Sequence, residues 1–461
     1  MLILLFSLFT IVFALLICKK LLGSFWFFSI SLFSLLTYVI FVFVGVTLVA
    51  SGIYDIRRFL VMSHISDIVI LKAYFAVWIS FILMLLGIFV SNLLFRSKPR
   101  IEINKFVTKK IKPIISRLDS YISPYLYFFL LVDVLIILFY WRVMIANGLT
   151  HPLICLLRGG CDLDSLKVVF YSLLPKRHYL ICGEMISGFI FLISLGYALK
   201  FKNLKWRALA LLTFFWSIFA TFSTGIKGHL IEYFAIIFIF YYLIKGKNDF
   251  KSIFKTSMAV LIMLMIIVYA FYGPLGKDLG IREIVNYVGE RVFIVQSYGV
   301  YLIFDYFPDK HEFLFGRGLS NPGSIFPYEY INPSAEIVRA YLPDLYLTKM
   351  TTMNSSISSD AYANFGWLGV FVFLFLAGFI VRTLDLIFVK YSKKTILILA
   401  LYSFLIVNIG FGVAGGLNEF LQWGNVAFYA LIAITIFIIL GGKFLRETLK
   451  CVSVNYRKKI I

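Results

Sequence analysis

Apolar runs of about 20 residues recur along almost the whole chain, separated by short polar segments. A helix of that length can cross the hydrocarbon core of a bilayer while satisfying its own backbone hydrogen bonds. A transmembrane β-barrel would need segments of about ten residues with alternating polarity, which the sequence lacks. We therefore predict an all-α polytopic membrane protein with about 11 transmembrane helices, over residues 2–18, 25–50, 73–95, 122–145, 179–199, 208–223, 229–244, 256–273, 366–389, 395–414 and 425–441.

Composition excludes two other classes of protein. The chain is 61% hydrophobic and 15% charged, which is more apolar than the surface of a water-soluble protein tolerates. The net charge of +21 raises the alternative of a nucleic-acid-binding protein. The positive charges lie in short segments between apolar runs rather than in one patch, so no nucleic-acid partner is predicted. The five cysteines show neither a CxxC pair nor the spacing of a zinc site, and we predict no metal site and no cofactor.

The distribution of Lys and Arg predicts an orientation. One alternating set of connecting segments is short yet holds more than half of the 44 Lys and Arg residues, namely 19–20, 96–117, 200–207, 245–255, 390–394 and 443–459. The other set is longer and holds fewer, namely 51–72, 147–178, 224–228, 273–366 and 415–424. Since positive loops stay in the cytoplasm, we expect the amino terminus outside and the carboxyl terminus inside.

Three parts follow from this layout. Residues 1–272 are predicted to hold about eight transmembrane helices and a basic amphipathic segment, 96–120, that lies on the inner surface of the membrane. Residues 273–366 form a large outer loop, and residues 367–461 hold about three more helices and a basic tail. In the outer segment 147–178, Cys155 and Cys161 either close a small disulfide loop or remain free thiols, and both alternatives stay open.

The outer loop carries most of the candidate functional residues, because a long folded loop in a membrane protein usually carries its chemistry. Residues 281–307 have a helical pattern and predict one or two amphipathic helices, with a break at Gly289 or Gly299. A Gly-rich turn with Arg317 follows, and then Arg339. The hydroxyl-rich stretch 350–369 suits either sugar binding or the capping of the next helix.

Charged residues near the membrane form a second set of candidates. Lys227 follows a turn and precedes a helix start, so it is either part of a phosphate cradle or a lysine that snorkels to the interface. Asp133 falls in the middle of a predicted span, where a structural pairing with a Tyr or an Arg is expected. Glu184 and Glu232 fall near the outer ends of their spans and are expected to border an outward cavity.

Three short motifs and the layout carry a resemblance to a known family. The motifs are the turn Ser223–Gly228, the segment Phe315–Ser320 and the stretch Asp360–Gly369. Together with the large outer loop before the last three spans, they resemble the O-antigen polymerase (Wzy) group of oligosaccharide repeat-unit polymerases. The match at the level of residues is confined to about 200–370. The resemblance implies a GT-C-like membrane glycosyltransferase in the bacterial inner membrane.

The implied reaction transfers a growing glycan from undecaprenyl pyrophosphate to a new lipid-linked oligosaccharide at the outer face. The implied partners are the bilayer, a chain-length co-polymerase and a flippase of the same pathway. A pyrophosphate leaving group needs cations around it, and an acceptor hydroxyl needs a base. No DxD-like cluster stands in the loop, so a metal-independent transfer is expected. The candidate catalytic residues are Arg282, Arg291, Glu290, Asp360 and Glu232, and the candidate substrate- or pyrophosphate-binding residues are Lys227, His229, Arg317, Arg339, Tyr362 and Asn364.

Two alternative functions remain. An O-antigen ligase would share the layout and the donor. A flippase or transporter of lipid-linked oligosaccharide would show internal repeats, short loops and helices broken near the middle of the membrane. The sequence shows no internal repeat, and the long outer loop favours the polymerase.

Overall fold

The computed structural model describes residues 2–25, 27–111, 122–148, 150–154, 178–201, 203–223, 227–246, 281–321, 325–344 and 353–421, with 346 and 432. These residues form helices and connecting segments, and no strand occurs among them. Eight helices in the described ranges are long and apolar enough to cross a membrane. The described part of the chain is therefore all-helical, as expected of a polytopic membrane protein.

The helices in chain order are α1 (Leu2–Leu22), α2 (Ile30–Ala50), α3 (Asp67–Leu94), α4 (Pro99–Thr108), α5 (Ile122–Ala146), α6 (His178–Phe201), α7 (Leu204–Phe222), α8 (Lys227–Lys245), α9 (Ile281–Phe293), α10 (Tyr298–Tyr306), α11 (Pro333–Tyr341), α12 (Ile357–Leu386), α13 (Ile396–Gly415) and α14 (Leu417–Leu421). A π-helical turn, Val39–Phe43, lies inside α2. Helices α4, α7, α9, α10, α11 and α14 are not among the eight candidate spans.

Nine of the eleven predicted spans coincide with described helices, because an apolar run long enough to cross a bilayer has no other way to satisfy its backbone. The predicted span 208–223 forms as α7. This helix is not one of the eight candidate spans, and its first turn carries two charged residues, Lys205 and Arg207, which lower its mean hydropathy. The predicted spans 256–273 and 425–441 lie outside the described residues, as do Cys155, Cys161 and part of the basic segment 96–120.

The chain divides into two compact units. Unit 1 comprises Met1–Val107, Asn248–Tyr391 and Leu405–Gly424, and unit 2 comprises Thr108–Lys247, Ser392–Phe404 and Asn425–Ile461. Unit 1 thus contains α1 to α3, α9 to α12 and α14, and unit 2 contains α5 to α8.

Glycines bring the two longest helices of unit 1 together. A Cβ atom at Gly378 of α12 would overlap the carbonyl oxygen of Met84 in α3, and one at Gly87 of α3 would overlap that of Phe375 in α12. Small residues at such positions allow the two backbones to approach closely, as in helix pairs within membranes.

One part of the predicted outer loop, helix α10, is buried in the core of unit 1. Helices α9 and α10 are separated by the 3₁₀ turn Val295–Ser297, so the predicted breaks at Gly289 and Gly299 were wrong. The residues of α10 from Tyr298 to Phe304 are buried. Gly299 is needed because a Cβ there would overlap the carbonyl oxygen of Asn354.

Connecting segments make contacts at both ends of the unit 1 helices. At one end, Tyr54 donates a hydrogen bond to Glu290 of α9, and His64 lies 3.2 Å from Asp305 of α10. At the other end, Lys390 Nζ lies 3.6 Å from Glu102 of α4. The segment 51–66 therefore shares an end with α9 and α10, and the segments that follow α3 and α12 meet at the opposite end.

Aromatic side chains surround the buried polar groups of unit 2. Trp216 Nε1 donates to Asp133 Oδ2 at 2.7 Å, so the prediction that a Tyr or an Arg pairs with Asp133 was wrong. His151 stacks on Phe219 with ring centroids 4.2 Å apart. Burial lowers the pKa of His151 to about 3, so this ring is neutral at physiological pH.

Candidate functional site

Helix α12 is interrupted near its start. Phe365 and Gly366 have non-helical backbone angles, and the φ of Gly366 is +62°, a conformation that favours glycine. A Cβ at Gly369 would overlap the carbonyl oxygen of Ala361, so residues 357–364 fold back against the beginning of the longer segment. The predicted end of the outer loop, residue 366, coincides with this break.

Hydrogen bonds between hydroxyl groups connect the start of α12 to the middle of α2. Ser356 caps the helix and exchanges hydrogen bonds with Ser359 in a capping box. Tyr38, near the middle of α2, donates to Ser358 Oγ at 3.2 Å and lies 3.3 Å from the carbonyl oxygen of Val77. The beginning of α12 therefore lies level with the middle of α2.

Asp360 is a buried carboxylate in this first segment, with 5% of its surface exposed. Its Oδ2 accepts a hydrogen bond from the backbone N–H of Leu417 at 2.9 Å, and its Oδ1 has no hydrogen-bond partner. Gly416 between α13 and α14 has φ +139°, and a Cβ there would lie 2.6 Å from Asp360 Oδ2. The break between α13 and α14 thus fits directly against this carboxylate.

Two serines extend the polar cluster around Asp360. Ser334, at the start of α11, donates to Ser355 Oγ at 2.8 Å. Ser355 Oγ in turn donates to the carbonyl oxygen of Gly415 at 3.3 Å. The starts of α11 and α12 and the end of α13 therefore meet at one buried polar place.

Asn364 holds the Gly-rich turn against α12. The N–H of Gly318 donates to Asn364 Oδ1 at 2.9 Å, and Asn364 Nδ2 donates to the carbonyl oxygen of Asp360 at 2.8 Å. A Cβ at Gly318 would lie 2.5 Å from Asn364 Nδ2, so a larger residue would displace the amide that holds the turn. The side chain of Asn364 is fully buried, and both ends of its amide are used in holding the turn.

Asn418 of α14 holds the same turn from the other side. Its Oδ1 accepts from the N–H of Ser320 at 2.7 Å, and its Nδ2 donates to the carbonyl oxygen of Gly318 at 2.8 Å. The same Nδ2 lies 3.1 Å from the hydroxyl of Tyr330. Burial, and then the negative charge of Asp360, raise the pKa of Tyr330 to about 12.

Replacing Asn364 with alanine should loosen the Gly-rich turn, because the variant loses two hydrogen bonds and leaves the buried N–H of Gly318 without a partner. We expect a destabilisation of about 1–3 kcal/mol. The measurement is the midpoint of thermal unfolding in detergent. Asn321→Ala is the matched control, since the bonds of Asn321 to described residues go to Phe326 and Tyr328 within its own exposed segment. Equal shifts in the two variants would contradict the anchoring role of Asn364.

Three predicted cations differ in their surroundings. Arg317 is half-buried, and its Nε donates to the carbonyl oxygen of Leu314 at 3.2 Å. Arg339 is exposed and lies 3.9 Å from Glu336 on the same helix. Arg291 is exposed and forms no ion pair within the described part of the chain. Its neighbour Glu290 pairs with a different cation.

That cation is Arg58, whose Nη2 lies 2.7 Å from Glu290 Oε1, and Tyr54 donates to the same oxygen. Glu290 is thus paired with Arg58 and not with its neighbour Arg291. Because Arg58 and Tyr54 of segment 51–66 already contact the Glu290 carboxylate, Arg291 is available to another anion.

Sequence reasoning missed a second polar centre, around Asp305 of α10. Its Oδ2 accepts from Lys310 at 2.6 Å and from Tyr341 at 2.5 Å, and His64 lies 3.2 Å away. Burial alone would raise the pKa of Asp305, but the bonds from Lys310 and Tyr341 outweigh it and the pKa is lowered. No spacing in the sequence signals this centre, because its members come from three distant segments.

The remaining predicted residues lie elsewhere. Tyr362 is buried among aromatic rings, 4.1 Å from Phe304 between centroids. Glu232 and His229 belong to unit 2, where His229 Nδ1 lies 3.0 Å from Glu184 Oε2. The side chains of Arg282 and Lys227 lie outside the described part of the molecule.

Unit 1 thus brings together several predicted residues. Asp360, Asn364 and the backbone of Arg317 belong to one assembly. A hydrogen bond from Asn354 to Gln296 connects this assembly to the turn after α9, the helix of Glu290 and Arg291.

Comparison with models of protein families, with curated proteins and with solved structures finds no match. The geometry defines a polytopic helical membrane protein with a polar centre at an interrupted helix.

Proposed function

We propose that this protein is a membrane glycosyltransferase that polymerises undecaprenyl-pyrophosphate-linked oligosaccharide repeat units into a bacterial surface polysaccharide. The observation that carries the proposal is Arg291, an exposed cation without an ion-pair partner among the described residues. It lies beside Glu290 on α9, and Gln296 in the turn after α9 accepts a hydrogen bond from Asn354. The resemblance of three motifs to repeat-unit polymerases supports the same reading.

In this proposal the cations stabilise the leaving group. Charge develops on the pyrophosphate as the bond from the anomeric carbon to its oxygen breaks, and nearby guanidinium groups are well suited to hold it. Arg291 is the leading candidate because no carboxylate of the described residues neutralises it. Arg317 and Arg339 are the supporting candidates, since one lies in the Gly-rich turn and the other is exposed on α11.

Glu290 is the best-placed candidate for the base. Its side chain is 37% exposed, whereas Asp360 is buried and Glu232 belongs to unit 2. Glu290 would take the proton of the acceptor hydroxyl as that oxygen attacks the anomeric carbon, and undecaprenyl pyrophosphate would depart. The bonds from Tyr54 and Arg58 would hold its carboxylate in place.

The proposed orientation puts the end of unit 1 that carries segment 51–66 and α9 outside, and the basic segments in the cytoplasm. Both substrates are anchored in the outer leaflet of the inner membrane, so this end would face them. The proposal implies a flippase that supplies the lipid-linked unit and a co-polymerase that sets chain length.

Arg291→Ala should slow chain extension about a hundredfold, as expected for the loss of one group that stabilises the transition-state charge. Arg291→Lys should recover part of the rate, because it keeps the charge but loses the planar fork of donors. The rate is measured with purified protein and lipid-linked repeat units. Arg207→Ala is the control, since Arg207 is an exposed arginine of α7 in unit 2. A full rate for Arg291→Ala would remove this residue from the site.

A transporter of lipid-linked oligosaccharide is the second candidate, and one observation favours it. Helix α12 is interrupted at Phe365–Gly366, and α13 ends at Gly415 against the buried Asp360. Secondary transporters place their substrate and ion sites at discontinuous helices of this kind.

Two assays separate the candidates, one of chain extension in nanodiscs and one of movement across vesicle bilayers. Purified protein in nanodiscs is mixed with lipid-linked repeat units in the presence of EDTA, and the products are separated on a gel. A ladder of lengthening glycans supports a metal-independent polymerase. Transfer of glycan to a lipid core without a ladder identifies a ligase. Movement of the unextended unit across vesicle bilayers, with no ladder, would replace the polymerase with the transporter.

A further inference from the structure

The junction between α13 and α14 gathers oxygen atoms in a buried place. Asp360 contributes its unpartnered Oδ1 and its Oδ2, Ser355 contributes its hydroxyl, and Gly415 contributes its carbonyl oxygen. The carboxylate of Glu419 lies directly over Gly415, where a Cβ would overlap Oε2. Among the described residues, no Lys, Arg or His contacts the Asp360 carboxylate.

The local electrostatics call for a positive charge at this junction. A buried carboxylate is costly unless it is paired. Helix α13 ends at Gly415, and the carboxyl end of a helix carries partial negative charge that adds to that of Asp360. The N–H of Leu417 satisfies only one of the two carboxylate oxygens.

Protonation of Asp360 would remove its charge but would leave Oδ1 without a hydrogen-bond partner. Oδ1 makes no hydrogen bond, and the Ser355 hydroxyl is the side chain that bonds to this carboxylate, so a proton on Oδ1 would gain no established acceptor. A cation at Oδ1 would neutralise the carboxylate and satisfy the oxygen at once. Hydroxyl, carboxylate and backbone carbonyl oxygens are the ligands that small hard cations prefer.

We propose that the α13–α14 junction binds a small monovalent cation of the sodium class, held by Asp360 Oδ1, Ser355 Oγ and the carbonyl oxygen of Gly415. A single charge fits because only one of the carboxylates is buried, while Glu419 is exposed at the rim. Unwound backbone and helix ends near the middle of a membrane are a setting in which proteins coordinate sodium. This inference does not depend on the glycosyltransferase proposal.

The site would join three elements at one point. Ser355 precedes α12 and bonds to Ser334 of α11, and Gly415 ends α13. Because Asp360, through Asn364, also supports the Gly-rich turn, a bound cation should stabilise the whole polar assembly of unit 1.

The first test is the midpoint of thermal unfolding of the full-length protein in detergent, with sodium chloride replaced by choline chloride at constant ionic strength. We expect the midpoint to rise with sodium and to continue rising with the logarithm of its concentration above the dissociation constant. Asp360→Asn should abolish this response. Asp309→Asn, an exposed aspartate in the same unit, should keep it.

Direct binding provides an independent measurement. Radioactive sodium should bind the native protein at one ion per chain, and Ser355→Ala should weaken the apparent affinity about tenfold, as expected for the loss of one ligand. This experiment also serves if Asp360→Asn fails to fold.

Identical midpoints in sodium, potassium and choline would overturn the proposal, as would a full sodium response in Asp360→Asn. A response to calcium but not to sodium would overturn the monovalent assignment. None of these measurements involves glycan transfer, so their failure is distinguishable from failure of the proposed enzyme activity.

Discussion

Asp385→Ala is expected to leave little folded protein under conditions where the native chain is stable. Asp385 is fully buried in α12, and it accepts bonds from the N–H of Ile30 at 2.8 Å and the N–H of Ser31 at 3.0 Å. The Ser31 hydroxyl donates to it at 2.5 Å. Asp385 therefore caps the start of α2 from another helix.

The same carboxylate lies 4.0 Å from the buried guanidinium of Arg382. Arg382 in turn donates to Asn92 Oδ1 at 2.7 Å and to Ser97 Oγ at 3.2 Å. Alanine at 385 would remove the carboxylate beside this buried arginine, and breaking a buried pair costs about 3–5 kcal/mol. That loss is large against a total stability of about 5–15 kcal/mol.

The measurement is the yield and unfolding midpoint of the variant in detergent. Asp67→Ala is the control, because Asp67 is also paired with an arginine, Arg57, but is 83% exposed. An exposed pair contributes about 0–1 kcal/mol, so the control should unfold close to the native midpoint. If Asp385→Ala also unfolds there, the network around Arg382 does not stabilise unit 1.

Gly378→Ala should destabilise the protein by about 3 kcal/mol or more, at the upper end of overpacking effects. The added methyl group would overlap the carbonyl oxygen of Met84, a backbone atom that cannot rotate away. Helices α3 and α12 would have to separate. Gly87 meets the backbone of α12 in the same way, so Gly87→Ala should have a similar effect.

Gly289→Ala makes the same chemical change in a helix with open space around it, since nothing lies within 4 Å of a Cβ there. Alanine is favoured over glycine inside a helix, so this variant should gain about 0.5–1 kcal/mol. Opposite shifts in the unfolding midpoint for Gly378→Ala and Gly289→Ala would support the close helix contact. Shifts of the same sign and size would contradict it.

The candidate site was predictable only in part. The sequence singled out Arg317, Asp360, Asn364 and Arg291 as chemically capable residues, and the first three do lie in one assembly. It did not distinguish Asn364, which holds a turn, from residues that face outward. It also overlooked Asn418, because an asparagine 100 residues from Gly318 carries no local signal of contact with it.

What the sequence by itself determined is the class of protein and the approximate positions of the eight candidate spanning helices in the described ranges. An apolar run of about 20 residues must form a helix in a bilayer, since no other single segment satisfies its backbone there. The hydroxyl-rich stretch 350–369 was also expected to suit helix capping, and Ser356 does cap α12, but the sequence did not predict that α12 begins at Ile357 or that it is interrupted at Phe365–Gly366.

Only the tertiary structure decided which polar residues are buried and what they contact. Asp360 meets Leu417, Asp385 meets Ile30, and α10 packs inside unit 1 although it lies in a predicted outer loop. These pairings join residues tens to hundreds of positions apart. Periodicity records the environment of a segment along its own axis, whereas such contacts depend on how separate helices pack against one another.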